Sequence, residues 1–166
     1  MEIELVHSSH AVGESNFHLQ ITPAYRRDVF RDPLVRELTL AYIMEKLRKF
    51  KVILAAYGFG PDHLHLFVCN VRWVGEIRLV QELKGYSSYM MRKNFWYLFR
   101  DKLWGDKFWS EGHFYRSVGA VTKESTEWYV REGQKKHWKQ YTYEQYCAMK
   151  NQRLITDFTT ATTASA

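Results

Sequence analysis

The chain has 166 residues, 24 Lys and Arg against 18 Asp and Glu, a formal net charge of +6 and 16% aromatic residues. That length suits one domain with a real core. The basic, aromatic-rich balance points to an anionic partner, nucleic acid ahead of membrane, or else to an ordinary basic protein.

No apolar run is long enough to span a bilayer. The first 15 residues hold Glu2, Glu4 and Glu14 with no Lys or Arg, and so make no signal peptide. Cys69 and Cys147 give neither a disulfide framework nor zinc spacing. The expected location is cytoplasmic.

Residues 15–22 alternate Phe17, Leu19 and Ile21 with His18, Gln20 and Thr22, a half-buried strand that Pro23 ends. The basic loop Ala24-Tyr25-Arg26-Arg27 follows. Two arginines beside a tyrosine suit phosphate contact and base stacking, or simply a solvated loop. Asp32 and Pro33 open a helix as N-cap and first residue. Its apolar set is Leu34, Val35, Leu38, Ala41, Tyr42, Met44 and Leu47. Lys46, Arg48, Lys49 and Lys51 load its C-terminal end, where the helix dipole favours cations.

Residues 52–58 read as a second strand. They meet a third through Gly60-Pro61-Asp62, as an antiparallel hairpin. In that third strand Leu66 to Cys69 is apolar, and alternation puts His63 and His65 on one face with Leu64 opposite, in a core. Two imidazoles projecting together can bind one divalent ion, or can be hydrogen-bonded structural histidines at a strand mouth.

A second helix begins near residues 74–76 with Ile77, Val80, Leu83 and Tyr86 as its expected buried stripe. Gly85 interrupts it at about 1 kcal/mol against alanine, a cost that close approach to the backbone would explain. Over residues 84–107, Lys84, Arg92, Lys93, Arg100, Lys102 and Lys107 mix with Tyr86, Tyr89, Phe95, Trp96, Tyr97, Phe99 and Trp104. That mixture fits a single-stranded nucleic-acid surface, although part of the aromatic set must be core.

An edge strand is expected over residues 113–118, with His113 a loop histidine or a neighbour of the site. Ser125-Thr126-Glu127 opens a last helix carrying Trp128, Tyr129 and Val130. A short helix over 143–151 follows. Residues 156–166 are Thr/Ala-rich, a disordered tail or a weakly held strand. The element order predicts an α+β fold, an antiparallel sheet with helices packed on one face, ferredoxin-like or RRM-like.

Five blocks stand in a telling order: HLQITPAYRRDVF (residues 18–30), PDHLHLFV (61–68), LKGYSS (83–88), FWSEGHFYRSVG (108–119) and WYVREGQ (128–134). Together they resemble the single-tyrosine HUH transposases of the insertion-sequence 200/605 superfamily, HUH denoting His, hydrophobic, His. The resemblance covers about residues 15–138.

It implies a DNA transposase that cleaves and rejoins single-stranded DNA beside hairpins at the element ends. Tyr129, on an extra C-terminal helix, would be the nucleophile, forming a 5′-phosphotyrosine and freeing a 3′-hydroxyl. His63 and His65 would hold Mg²⁺ or Mn²⁺. A homodimer is implied, the tyrosine helix of one subunit often completing the site of the other. The implied DNA contacts are Tyr25, Arg26 and Arg27 with Lys84, Gly85, Ser87 and Ser88; local charge adds Arg92 and Lys93. The transposase domain would span residues 1–140, with 141–166 a C-terminal extension ending in a partly disordered tail.

Elementary chemistry agrees with that resemblance. A metal ion neutralises and orients a phosphodiester, and tyrosine with a pKa near 10 needs help to attack it. Imidazole suits Mn²⁺ better than Mg²⁺, which prefers oxygen.

One position departs from the pattern. The family places glutamine four residues after the tyrosine, as a third metal ligand or its neighbour; here Gly133 stands there and Gln134 follows. On an ideal helix Gln134 is rotated about 140° from Tyr129 and Glu132 about 60°. Either the helix distorts to deliver Gln134, which residue type favours, or Glu132 substitutes. An alternative function is a relative that grips structured nucleic acid without cleaving it. A hydrolase using His63 and His65 on a small substrate fits the basic, aromatic surface least.

Overall fold

A computed structural model describes residues 6–7, 12–72, 74–119 and 123–149. The elements β3 (Phe17–Ile21), α1 (Pro33–Lys49), β4 (Ile53–Gly60), β5 (His63–Cys69), α2 (Glu76–Phe95) and β6 (Phe114–Ser117) run in βαββαβ order. Before them β1 (Val6–His7) pairs with β2 (Val12–Gly13) in a small separate ladder that the sequence pattern did not announce. After them come α3 (Lys123–Glu132) and α4 (Tyr143–Met149). The main sheet is antiparallel throughout, in the order β4-β5-β3-β6, so the expected α+β architecture is the one found.

Alternation divides the sheet into two faces. Leu19, Ile21, Leu64, Leu66 and Val68 are buried on one face and join the core that α1 and α2 supply. Phe67 and Cys69 point the other way, into a second cluster with Ala56, Val118 and Val130 of α3. The expectation of helices on one face therefore holds for α1 and α2, while the extra helix α3 covers the opposite one. Burying a side chain of the size of Val130 contributes roughly 1.5–3 kcal/mol to holding α3 there.

Asp32 caps α1, its Oδ1 accepting from the Leu34 amide at 2.9 Å, and Pro33 is the first helical residue. The buried line of α1 is Val35, Thr39, Ile43 and Leu47, spaced four apart. Ala41, expected in the core, is exposed, because the stripe sits one position round the helix from the expected one. In α2 the expected Ile77 is 53% exposed, and Leu79 takes its place beside Val80 and Leu83. Tyr86 is half-buried.

The chain beyond α3 is fastened back onto the body. Trp138 Nε1 and Gln140 Nε2 both donate to the Phe59 carbonyl, at 2.8 and 3.1 Å. Arg36, buried in α1, donates to the carbonyls of Phe30 and Tyr141 at 2.8 and 2.7 Å. Cys147 of α4 is buried. The Thr/Ala-rich stretch 156–166, and the end of the short helix expected over 143–151, lie outside the described residues. No helix among the described residues is long and apolar enough to cross a membrane.

Candidate active site

The two-residue turn Pro61-Asp62 links β4 to β5 and sets His63 at the mouth of the central strand. His63 and His65 share the face opposite Leu64, their ring centroids 5.0 Å apart. Each ring is gripped at Nδ1. His63 Nδ1 is 2.7 Å from Asp62 Oδ1, and His65 Nδ1 is 2.8 Å from Nε2 of His18 on β3. An acceptor on Nδ1–H fixes the tautomer of an imidazole and assigns any ligand role to Nε2. The Asp62 carboxylate makes Nδ1 of His63 the donor, whereas in the His65–His18 pair either ring can donate.

Burial drives the pKa of His65 down to about 3, with the nearby His18 and His63 adding to the effect. Burial also lowers that of His18, helped by the Arg116 charge. Both rings are therefore neutral at physiological pH, the state in which imidazole can donate a lone pair to a metal.

The Asp62 carboxylate bridges His63 and Arg26. Its Oδ2 accepts from Arg26 Nε at 3.0 Å. Burial raises its pKa, but the bonds from His63 and Arg26 outweigh burial and hold it below the usual carboxylate range.

Helix α3 brings Tyr129 to this face. The phenol ring lies edge-on to His65 and His18, with centroids at 6.0 and 6.2 Å. Between α3 and the sheet is a cleft of ≈ 510 Å³ lined by His18, Gln20, His65, Phe114, Arg116, Ser125, Thr126 and Tyr129. The Tyr129 phenol, the imidazoles of His18 and His65 and the Arg116 guanidinium line one opening, with His63 outside its lining. That set can do phosphoryl chemistry.

The family model for IS200-like transposases matches residues 11–133. The chain belongs to that family. Among solved structures it is similar to a Deinococcus radiodurans R1 protein described as a candidate transposase. That likeness has a TM-score of 0.61 and 23% identity, over 78% of this chain and 98% of the other. It is also similar to a REP-associated tyrosine transposase bound to a REP hairpin, with a TM-score of 0.58 and 10% identity, over 80% of this chain and 73% of the other. At these identities the two likenesses speak for the fold. No curated protein matches the chain.

The sequence-expected candidates for a third ligand in this transposase are Gln134 and Glu132. The Gln134 side chain lies outside the described residues; its backbone belongs to the 3-10 turn Gly133–Lys136 that follows α3. Glu132 accepts from Lys135 Nζ at 2.9 Å and lines a separate hollow with Glu124, Glu127, Trp128 and Arg131. Among the described residues no group of three or more His, Cys, Asp or Glu side chains is arranged around a metal. The donors that fit are the two imidazoles, a partial shell that water and phosphate oxygens would complete.

The other expected DNA residues fall into two sets. Tyr25 is 75% exposed and stacks on Trp104, and Arg27 lies over the same indole, its Cζ 4.8 Å from the ring centroid. The second set is turned inward. Lys84 Nζ donates to the carbonyls of Glu111 and Gly112 at 2.7 and 3.2 Å. Ser87 is fully buried, its Oγ donating to the Leu83 carbonyl and accepting from Trp109 Nε1 at 2.9 Å. Ser88 Oγ accepts from the Phe108 amide at 3.4 Å.

The LKGYSS block therefore clamps the loop 108–112. That loop in turn holds Pro23 and Ala24, through a bridge between Pro23 and Trp109 and a bond from the Ala24 amide to the Phe108 carbonyl. Gly85 is exposed on α2, and a β-carbon there would meet nothing within 4 Å. Arg92 lies over the Trp96 ring and Lys93, exposed, over the Tyr89 ring.

Sequence reasoning missed His18 and Arg116 as site residues. Both lie inside recognised blocks, and cross-strand pairing joins them, His18 opposite Arg116 in the β3–β6 register. The signal was the alternation of β3, which puts His18 on the polar side of its strand with Gln20.

Proposed function

We propose that this transposase cleaves and rejoins single-stranded DNA at element ends through Tyr129, with a divalent metal held by His63 and His65. The observation that carries the reading is the approach of the Tyr129 ring centroid to 6.0 Å from that of His65, which itself lies 5.0 Å from that of His63. A cation bound by the two Nε2 atoms, Mn²⁺ or Mg²⁺, would neutralise the scissile phosphate oxygens and present phosphorus for in-line attack.

The phenol oxygen of Tyr129 attacks phosphorus and gives up its proton. The bond to the 3′-oxygen breaks, that oxygen takes a proton, and a 5′-phosphotyrosine remains. Attack by a 3′-hydroxyl reverses the step, with the phenolate leaving, so no nucleotide cofactor is consumed. Arg116 faces the same cleft, where its charge favours a bound phosphate. The bond between His18 and His65 holds the second imidazole in place. Gln134 remains the proposed third ligand by residue type, since Glu132 is engaged elsewhere.

DNA contacts are assigned to Tyr25, Arg27, Gly85 and Lys93, which are exposed. Arg26, Lys84, Ser88 and Arg92 position the surface as well as bordering it. Ser87 acts from inside, through Trp109. Hairpins at the element ends are the proposed substrate, in keeping with the REP hairpin in the structurally similar transposase. The proposed assembly is a homodimer, for which β4 and β6 supply sheet edges.

The test is covalent capture. A single-stranded oligonucleotide carrying an element-end hairpin, with Mn²⁺ or Mg²⁺, should give a denaturant-resistant adduct that Tyr129→Phe and His63→Ala abolish. An undiminished adduct with Tyr129→Phe would disprove the nucleophile.

A further inference from the structure

The loop that carries Tyr25 is built at a cost. Tyr25 has φ 57° and ψ 20°, and Arg26 has φ 51°; two successive non-glycine residues stand in the left-handed region that L side chains avoid. Anchors on both sides hold them there. On one side Ser110 donates from its amide to the Thr22 carbonyl and from its hydroxyl to the Pro23 carbonyl, each at 2.9 Å. On the other Arg26 Nε is bonded to Asp62.

The result is a ring pushed outward. Tyr25 and Trp104 are 75% and 63% exposed, with planes within 9° of parallel and centroids 6.0 Å apart. Trp104 comes from a different segment, whose base is equally fixed. Phe99 and Leu103 are buried, and Lys102 Nζ bonds to both the carbonyl and Oδ1 of Asp28 at 2.9 Å. Backbone strain and large exposed apolar rings are both features that folding alone selects against, and strain of this kind gathers at ligand sites.

We propose that Tyr25 and Trp104 form a stacking platform for an unpaired base of the single-stranded DNA, beside the phosphate handled at the histidine pair. The inference rests on the DNA reading above and adds a base subsite to it. Aromatic faces stack any base without reading its sequence, which suits a strand rather than a duplex. Arg27, against the same indole, supplies a cation for the adjoining phosphate. Continuity with the site is direct. Arg26, next in the chain to Tyr25, meets the carboxylate that holds His63. A base seated here therefore lies along the edge of the reaction centre and fixes which phosphate arrives there.

The experiment uses the full chain carrying Tyr129→Phe, which cannot be trapped covalently. Binding is measured to a hairpin oligonucleotide with a single-stranded arm containing 2-aminopurine, and to the same hairpin without the arm. Loss of one stacked base should weaken arm-dependent binding by roughly 5- to 150-fold in Tyr25→Leu and in Trp104→Leu. Binding of the armless hairpin and the slope of affinity against salt should be unchanged, since no cation is removed. Trp104→Phe, which keeps a ring, should retain most of the affinity and the 2-aminopurine quenching.

Wild-type binding of the armed DNA by both leucine variants, or an equal loss on both DNAs, would overturn the platform. The assay reads binding by a chain that cannot nick, so it succeeds or fails apart from the strand-transfer reaction.

Discussion

The imidazole of His63 lies against the bare α-carbon of Gly60. A β-carbon on Gly60 would fall 2.6 Å from His63 Nδ1 and closer still to Cε1, inside van der Waals contact. The ring has little freedom to retreat, because Nδ1 is tied to Asp62 and Asp62 to Arg26. Gly60→Ala should therefore turn His63 away from its ligand position while leaving the hairpin paired. The expected outcome is Mn²⁺ affinity about 10- to 100-fold weaker, the scale seen when a ligand's support is lost. Mn²⁺ electron paramagnetic resonance would measure it, with a melting curve close to wild type. Unchanged Mn²⁺ binding would show that His63 is no ligand.

Much of this site could be read before the fold was known, and the reason is local. His63 and His65 are two apart on a strand, and a period of two is enough to place them together. Tyr129 required the family resemblance, since the chain holds 11 tyrosines and periodicity favours none of them. His18 required the sheet itself, because the partner of His65 comes from 47 residues away, across a strand pairing that no local pattern announces. The inward turn of Ser87 was illegible for a similar reason. A serine inside a helix reads as surface until Trp109 is seen reaching it from 22 residues on.

The buried histidines make acid sensitivity a further expectation. His65 has a folded pKa of about 3 against 6.5 for the ordinary group, and His18 is also lowered, burial being the main cause for each. Below pH 6.5 the unfolded chain binds protons that the folded chain refuses. Stability is therefore fully present above pH 6.5 and is lost as pH falls from there towards 3. Each histidine adds a slope of at most ~1.4 kcal/mol per pH unit. Urea unfolding at pH 7 and pH 5, without metal, should show a marked loss of stability at pH 5. In His65→Gln that loss should be smaller. An equal pH response in the two proteins would show that His65 titrates alike in the folded and unfolded states.

The position of Tyr129 relative to its own histidines bears on how the site is assembled. Within one chain its ring is already edge-on to His65, Val130 beside it is buried against the sheet, and the following residues are fastened to Phe59 and Arg36. Each of these contacts is made within one chain. Chains carrying Tyr129→Phe mixed with chains carrying His63→Ala should accordingly form no adduct. Recovery of about a quarter to a half of wild-type adduct, a stoichiometric expectation for mixed dimers, would mean that the helix exchanges.

Gly133 makes room for Tyr129 much as Gly60 does for His63. A β-carbon at Gly133 would lie 3.1 Å from Cδ2 and 3.3 Å from Cε2 of the Tyr129 ring, tighter than ordinary contact. The ring thus occupies space that a side chain four residues on would need. A side chain at 133 would therefore require the phenol ring to shift from this position.

Gly133→Ala sets two effects against each other. Alanine raises helix propensity by about 1 kcal/mol and should extend α3, so the melting temperature should hold or rise. The ring must meanwhile shift by a few tenths of an ångström, and a misplaced nucleophile loses rate steeply, up to about 10²-fold for 1 Å. The adduct should therefore form several-fold more slowly in a protein that is no less stable. Gly133→Gln should exaggerate the split, because the longer side chain displaces the ring further. Adduct formation as fast as wild type in both variants would show that Tyr129 reacts from a different rotamer, with Gly133 serving only the turn that ends α3.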